Sequence, residues 1–163
     1  MAGCLAAAVV FAGCFGPDPN LTDSGLGRPY VSVTFPETAE PGSVHDAEVT
    51  IENPGPGDMS SVVIAFARVG PARGGEPLPF PIVDPGADRA NPAIVSIEPE
   101  PDGISPDAVV FRFGSLPEGE IMTITFSLRV PAEEGSAANS VTVYAGEDPS
   151  RARGDRLETQ IEG

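Results

Sequence analysis

The sequence predicts an all-β protein that folds as an antiparallel β-sandwich of seven or eight strands, preceded by a signal peptide and a flexible tether. Two features of the chain after residue 30 carry the prediction of a sandwich. Hydrophobic side chains recur at every second position in short runs, which is the period of a strand buried on one face. Clusters of Gly, Pro, Asn and Asp separate these runs, and no stretch has the 3.6-residue period of an amphipathic helix.

Eight runs are predicted as strands, and the clearest is the one from Ile121 to Val130. There Ile124, Phe126 and Leu128 share one face, while Thr and Ser residues alternate with them. Several short strands at this spacing favour two packed antiparallel sheets. Residues 70–92 are rich in Gly and Pro and are predicted to form a long loop. The predicted strands cover residues 30–35, 47–51, 61–69, 93–97, 108–113, 121–130, 140–145 and 157–161.

The first 13 residues are predicted to be a bacterial lipoprotein signal peptide. Leu5 to Phe11 is an unbroken apolar run without charge, and a segment this short cannot cross a bilayer, which takes about 20 residues. Small residues follow the run, as they do before the cleavage site of a signal peptide. Phe11, Ala12, Gly13 and Cys14 together resemble a lipobox, in which the chain is cut before a cysteine that becomes acylated.

Residues 14–29 change composition abruptly and are predicted to tether a lipid anchor on Cys14 to the folded domain. They are rich in Gly, Pro, Asp and Ser, which is typical of a flexible linker. Two or three acyl chains would hold the protein stably to the membrane, whereas one chain binds marginally. Because Met1-Ala2-Gly3 lacks the positive charge of a signal peptide, we expect the true start to lie upstream. A buried N-terminal strand is the alternative interpretation of the apolar run.

The charge balance excludes several partners and chemistries. All 24 acidic and all nine basic residues follow Cys14, so the net charge of −15 belongs to the mature part. Such a surface repels nucleic acid and anionic lipid headgroups. The basic residues are all Arg, which rules out lysine chemistry, and the two cysteines, Cys4 and Cys14, lie in the leader. The domain therefore has neither an internal disulfide nor a cysteine metal site.

Three turn motifs stand out in residues 30–163. They are Asn53-Pro54-Gly55-Pro56-Gly57, the segment Gly114 to Glu120, and Asn139, Val141 and Val143 followed by Asp148-Pro149. With these motifs the segment resembles the DUF11-type conserved repeat domain of bacterial and archaeal surface proteins, whose pattern is shared in part by CARDB-like modules. The resemblance implies an immunoglobulin-like β-sandwich and a role at the cell surface. The segment between Arg151 and Arg156 stands where the family has an Asn-rich turn, and it is expected to precede the last strand.

These motifs have physical roles that do not depend on the family. Asn53 and its neighbouring glycines suit backbone conformations that other residues resist. Leu116 is expected to plug one end of the sandwich, and Pro117-Glu118-Gly119 is expected to close a hairpin. The motifs therefore hold the fold together and carry no chemistry.

Candidate chemistry elsewhere is sparse. His45 is the only histidine, and beside the turn Pro41-Gly42 it is expected to be an exposed loop or strand-edge residue. Copper sites of sandwich proteins need several histidines, so they are excluded. Arg153-Gly154-Asp155 spells the integrin-binding tripeptide, which we interpret as a chance match. Acidic loop residues are candidates for calcium, although they do not form a D-x-D-x-D-G loop, and these are Asp84, Asp88, Glu98, Glu100 and Asp102.

Together these observations predict a protein without a catalytic site or cofactor, anchored outside the bacterial cytoplasm by its N-terminal lipid. Its expected role is that of a structural spacer or protein-interaction adaptor. The expected partner is a cell-envelope protein, bound through sheet edges or end loops, above all the Pro-rich region 70–106. Neither nucleic acid nor a small-molecule substrate is expected to bind. The alternative is an extracytoplasmic lipoprotein that binds a ligand or calcium through its acidic loops.

Overall fold

Two β-sheets pack face to face in the computed structural model, which describes residues 28–68, 93–105, 109–146 and 148–163. Eight strands have at least four residues, and two more have only two. The predicted sandwich is therefore confirmed. The only helical element in the described residues is a single 3₁₀ turn, Pro149–Arg151. The strands are β1 Tyr30–Thr34, β2 Thr38–Ala39, β3 Val44–Glu52, β4 Val62–Arg68, β5 Ile94–Glu98, β6 Gly103–Ile104, β7 Val110–Phe113, β8 Ile121–Arg129, β9 Gly135–Ala145 and β10 Arg153–Ile161.

The strand order is immunoglobulin-like. The four-stranded sheet has the order β1-β3-β8-β5, and the six-stranded sheet has the order β2-β10-β9-β4-β7-β6. Neighbouring strands are antiparallel except for β2, which runs parallel to β10. Between β4 and β8 the chain crosses from one sheet to the other three times, so of the consecutive strands in this stretch only β6 and β7 are neighbours in a sheet.

The core lies between the sheets and is built by the alternation that the sequence shows. On β8, Ile124, Phe126 and Leu128 are buried, as predicted, while the residues between them face outward. Phe126 lies at the centre, with ring-centroid distances of 5.0 Å to Phe66 and 5.3 Å to Phe111 in edge-to-face geometry. Aromatic rings prefer this arrangement because the positive edge of one meets the negative face of the other. These rings connect β4, β7 and β8, and therefore join the two sheets.

The last two long strands begin earlier than the sequence predicts. β9 starts at Gly135 and β10 at Arg153, and nine residue pairs join them in continuous register. The first residues of β9 are mostly small and polar, and have little intrinsic strand preference. Pairing with β10 keeps them extended, and the pairing with β4 begins only at Asn139. The segment 151–156, expected to be a turn, is therefore strand from Arg153 onward.

The turn Pro117-Glu118-Gly119 does not close a hairpin, contrary to our expectation. It follows β7, which belongs to the six-stranded sheet, and precedes β8, which belongs to the four-stranded sheet. The turn itself is tight, since the Glu120 backbone N–H donates to the Pro117 carbonyl at 3.2 Å and Gly119 has a φ of 77°. Turn chemistry indicates a reversal of the chain, but it does not say which sheet the next strand joins.

The described chain enters and leaves the sandwich at opposite ends. Pro29 lies with the turns that follow β3 and β9, beside Gly57 and Gly146. Gly163 lies at the other end, beside Pro41 and Glu134. The longest strand, β9, has 11 residues, which at about 3.3 Å per residue spans roughly 36 Å between these ends.

Several predictions fall outside the described residues. They are the signal peptide 1–13 with its lipobox residues Phe11, Ala12 and Gly13, the acylated Cys14, nearly all of the tether 14–29, and the loop 70–92. In the described part of the chain, no helix is long and apolar enough to span a membrane.

Candidate functional site

Asn53 organises the end of the sandwich where Pro29 lies. Its side chain is fully buried, and its amide nitrogen donates to the carbonyls of Gly57 and Leu116, both at 2.9 Å. Its amide oxygen accepts from the Gly55 backbone N–H at 3.1 Å. Both polar ends of a buried amide are therefore satisfied, which removes the free-energy cost of burying it.

Two turns that are about 60 residues apart in the sequence are joined by these contacts. Met59 and Leu116, both buried, exchange two backbone hydrogen bonds of 3.0 Å. The Glu118 carboxylate accepts from the Gly57 backbone N–H at 2.8 Å, and the Asp58 carboxylate accepts from the Glu118 backbone N–H at 3.0 Å. Leu116 fills this end of the core, as predicted. The first two motifs of the resemblance therefore meet in one structural unit.

Gly55 is required by this unit for two reasons. Its φ of 78° lies in the left-handed region, which a residue with a Cβ resists. A Cβ at this position would also lie 2.5 Å from the Glu118 side chain. Glu118 would have to move, and its hydrogen bond to Gly57 would be lost. The sequence suggests a conformational reason for Gly55, and the structure adds a steric reason.

A pocket of about 220 Å³ lies beside the two turns. Met59 and Ala145 supply apolar surface, and Asp58, Asp148 and Arg151 supply charge. No pattern in the sequence marks this pocket. Asp148 is notable in the sequence only as part of the turn motif Asp148-Pro149, and Asp58 follows the turn motif that ends at Gly57.

Asp148 is ionised at neutral pH and is held by its own turn. Its carboxylate accepts from the Ser150 hydroxyl at 2.5 Å and from the Ser150 backbone N–H at 3.0 Å, and these bonds hold the pKa of Asp148 below its ordinary value. Arg151, at 3.9 Å, lowers the pKa further. The carboxylate caps the 3₁₀ turn at Pro149. Both hydrogen bonds are accepted by Oδ1, so Asp148 is held by its own turn.

His45 is half-buried in β3, a central strand, and does not occupy the exposed loop or strand edge that we expected. It lies on the same inward face as Ala47, two residues further along the strand. The Phe35 ring packs edge to face against the His45 ring, with 6.1 Å between the ring centroids. The Ser43 hydroxyl donates to the Glu40 carbonyl, so its oxygen must accept from His45 Nε2 at 2.9 Å. This polarity is opposite to that of a general base, which accepts the serine proton.

Asp155 of the Arg-Gly-Asp tripeptide connects the two sheets. One carboxylate oxygen accepts from the Val33 backbone N–H at 2.8 Å, and the other accepts from the Arg156 backbone N–H at 2.8 Å. The tripeptide belongs to β10 and pairs with β9. The structure therefore gives Asp155 a role in holding β1 against β10.

The candidate calcium ligands are only partly described. Glu98, Glu100 and Asp102 are exposed near β5 and β6, whereas Asp84 and Asp88 lie outside the described residues. Among the described residues, no three or more His, Cys, Asp or Glu side chains are grouped so that they could hold a metal ion.

Comparison with known proteins gives similarity in structure but not in sequence. No family model matches the chain, and no curated protein is significantly similar to it. Similar solved structures include a cohesin module of a Clostridium perfringens family 33 glycoside hydrolase (14% identity, 85% of this chain and 98% of that one, TM-score 0.46). Another is PapD-like domain 7 of human CEP192, with 15% identity over 99% of this chain and 98% of that one and a TM-score of 0.44. A third is the bacterial hydrophobin BslA, with 10% identity over 82% of this chain and 98% of that one and a TM-score of 0.44. Similarities this distant identify neither a ligand nor an activity for this chain.

Proposed function

We propose that this chain is a non-catalytic, lipid-anchored module of the bacterial cell surface that acts as a structural spacer or a protein-interaction adaptor. The observation that supports this proposal best is the position of Pro29 and Gly163 at opposite ends of the sandwich. A domain entered at one end holds its other end roughly 36 Å farther from the point of attachment.

The anchor of this proposal is Cys14. The lipobox-like residues Phe11, Ala12 and Gly13 precede it, and residues 14–29 form the tether. Since Pro29 lies beside the turns of Asn53 and Leu116, the tether approaches the domain at that end. The opposite end, with Pro41 and Glu134, then faces away from the membrane and is presented to a cell-envelope protein.

The absence of catalysis is proposed because the polar side chains best suited to chemistry have structural duties. Asn53 and Asp155 are bonded to the backbone of other elements. The Ser43 hydroxyl donates its hydrogen bond to the Glu40 carbonyl and not to His45. A nucleophile already engaged as a donor in this way is not activated by the neighbouring histidine.

Mass spectrometry after expression in a bacterium that processes lipoproteins tests the anchor. We expect the mature chain to begin at Cys14, to carry the mass of a diacylglyceryl group and to sediment with the membrane. Cys14→Ala should give an unacylated chain that keeps residues 1–13, because the cut is made before this cysteine, whereas the control Cys4→Ala should leave acylation unchanged. Unacylated Cys14 in the wild-type membrane fraction would contradict the proposal.

Crosslinking on intact cells tests the adaptor role. A photoreactive residue at Glu134, far from the anchor, should recover a discrete protein neighbour. The same probe at Asp58, beside the tether, is the control and should recover less of it. If neither position yields a protein neighbour while the anchor is confirmed, only the spacer role remains.

A further inference from the structure

The negative charge of this protein is unevenly distributed over its surface. β3 and β5 present Asp46, Glu48, Glu52 and Glu98 on the exterior of the four-stranded sheet. By contrast, the three adjacent strands β7, β4 and β9 of the six-stranded sheet contain neither Asp nor Glu. The exterior of these three strands, here called the acid-free face, is unusual in a chain with a net charge of −15.

The side chains of the acid-free face follow from strand register. Val62, Ile64 and Phe66 of β4 belong to the core, so Val63, Ala65 and Ala67 point outward. Across the sheet, Val63 pairs with Arg112 and Tyr144, and Ala65 pairs with Val110 and Thr142. The centre of this face therefore combines the small or apolar side chains of Val63, Ala65 and Val110 with Thr142, Tyr144 and Arg112.

Val63 shows that this face already excludes water locally. Its side chain is fully buried although it points away from the core. Its neighbours along the row, Arg112 and Tyr144, are half-buried. Ala65 and Thr142 in the next row are half-buried as well, and Ala67 is exposed. Arg112 is the one charged side chain described on this face, so covering the surface requires the desolvation of one charge.

The size of the face suits a weak protein interface. Strands of one sheet lie about 4.8 Å apart, and β7, β4 and β9, of four, seven and 11 residues, are roughly 13, 23 and 36 Å long, which gives a planar area on the order of 350 Å². Accessible area exceeds planar area because side chains protrude. The planar area is about half of the roughly 800 Å² per partner of a standard stable interface, so we expect a weak contact.

We propose that the acid-free face is the contact surface between two copies of this chain. Two molecules with a charge of −15 repel each other, and they approach most easily through the faces that carry no acidic residue. The acidic exterior of the four-stranded sheet and the glutamates near Gly163 oppose contact elsewhere on the described surface. Face-to-face packing of two flat sheets is isologous and closes as a two-fold dimer. This inference does not depend on the lipid anchor.

Sedimentation equilibrium of the full chain carrying Cys14→Ser tests the proposal without acyl chains. We expect a monomer–dimer equilibrium that tightens when salt is raised from about 0.01 M to about 0.15 M, because the screening length falls from roughly 30 Å to roughly 8 Å. Ala67→Glu places a carboxylate on the acid-free face of both copies and should weaken dimerisation at least about tenfold. Ala67 is exposed, so this variant should retain its melting temperature.

Thr123→Glu is the matched control, because it adds the same charge to an exposed position on the exterior of the four-stranded sheet. It should change the dimer dissociation constant by no more than about twofold, as surface substitutions remote from a contact do. A chain that stays monomeric at about 1 mM overturns the proposal. So does association that survives Ala67→Glu, that weakens equally with Thr123→Glu, or that continues beyond a dimer.

Discussion

At the scale of single residues, Asn53 contributes most to the end of the sandwich near Pro29. Its side chain makes three hydrogen bonds to backbone groups. Two of the partners, Gly55 and Gly57, belong to the turn between β3 and β4, and the third is the Leu116 carbonyl. One side chain thus fixes the conformation of its own turn and the position of a second turn. A surface asparagine would exchange these bonds for water at little cost, whereas this one is fully buried.

Asn53→Ala should lower the free energy of unfolding by about 3 kcal/mol, because it removes three bonds and leaves buried carbonyls without donors. For a domain of this size the melting temperature should fall by roughly 10 °C. Asn53→Asp should be at least as damaging at neutral pH, since it places a carboxylate against the carbonyls of Gly57 and Leu116. Calorimetry measures both. Gln160→Ala removes an exposed amide as the control, and a similar loss there would refute the role given to Asn53.

Asp148 should titrate below its ordinary pKa, because Ser150 and, to a smaller extent, Arg151 stabilise its ionised form. Ser150→Ala removes the strongest cause and should raise the pKa toward its ordinary value more than Arg151→Gln does. Because the folded pKa is depressed, the stabilisation by Asp148 is present at neutral pH and is lost as the pH falls through that pKa. Carboxyl carbon shifts followed by NMR measure the midpoints. The reverse order of the two variants would contradict this assignment.

At the scale of strands, the sequence predicts a strand best where its hydrophobic alternation is strong. β8 shows this, since Ile124, Phe126 and Leu128 are predicted and found on the inward face. The early part of β9 has no such pattern because Ala137 and Asn139 are small or polar, and its conformation is set by neighbouring strands. The two-residue strands β2 and β6 are too short to show a period at all. The local sequence therefore shows that a strand exists, whereas the length of the strand depends in part on the strands that pair with it.

The meeting of two turns near Asn53 illustrates the same division. Their glycines and prolines identify each segment as a turn, and Leu116 is recognisable as a plug. The bond from Asn53 to Leu116 spans 63 residues and depends on the packing of both sheets. Local chemistry carries no information on that pairing. The pocket lined by Asp58 and Asp148 escaped prediction for the same reason.

Gly154 provides a test of close approach between β9 and β10. A Cβ there would lie 2.6 Å from the Val141 carbonyl oxygen, which is backbone and cannot turn aside. Gly154→Ala should therefore force the two strands apart and cost about 2 kcal/mol of stability, as overpacking does. The control is Gly103→Ala in β6, where the nearest atoms lie 4.0 Å away. Denaturant unfolding measures both, and equal midpoints for the two variants would rule out the steric explanation.

At the scale of the whole molecule, charge acts on stability as well as on association. The net charge is −15 and the isoelectric point is about 4.1, so the folded chain repels itself at neutral pH. Fold class follows from the sequence because strand alternation and turns recur along the chain. The partition of acidic residues between the two sheets does not follow from the sequence, because it depends on which strands are neighbours in each sheet.

Salt should stabilise the fold at neutral pH. Raising NaCl from about 0.01 M to about 0.15 M screens the repulsion between acidic side chains, so the melting temperature should rise. Near pH 4.1, where the net charge vanishes, the same addition should have a much smaller effect. Calorimetry at both pH values measures this. A melting temperature at pH 7 that is insensitive to salt would show that the acidic groups are too far apart to matter.

The placement of Pro29 and Gly163 at opposite ends of the sandwich has a mechanical consequence. β1 runs from the Pro29 end toward the other end, and β10 runs in the same direction to finish near Gly163. Tension applied between these two ends therefore acts along the strands. The tension loads all five residue pairs between β1 and β3 in shear at the same time. It also loads the hydrogen bond from the Val33 backbone N–H to Asp155. Bonds loaded in shear must break together, whereas bonds that are unzipped break one at a time, so this geometry resists a pull along the line from Pro29 to Gly163.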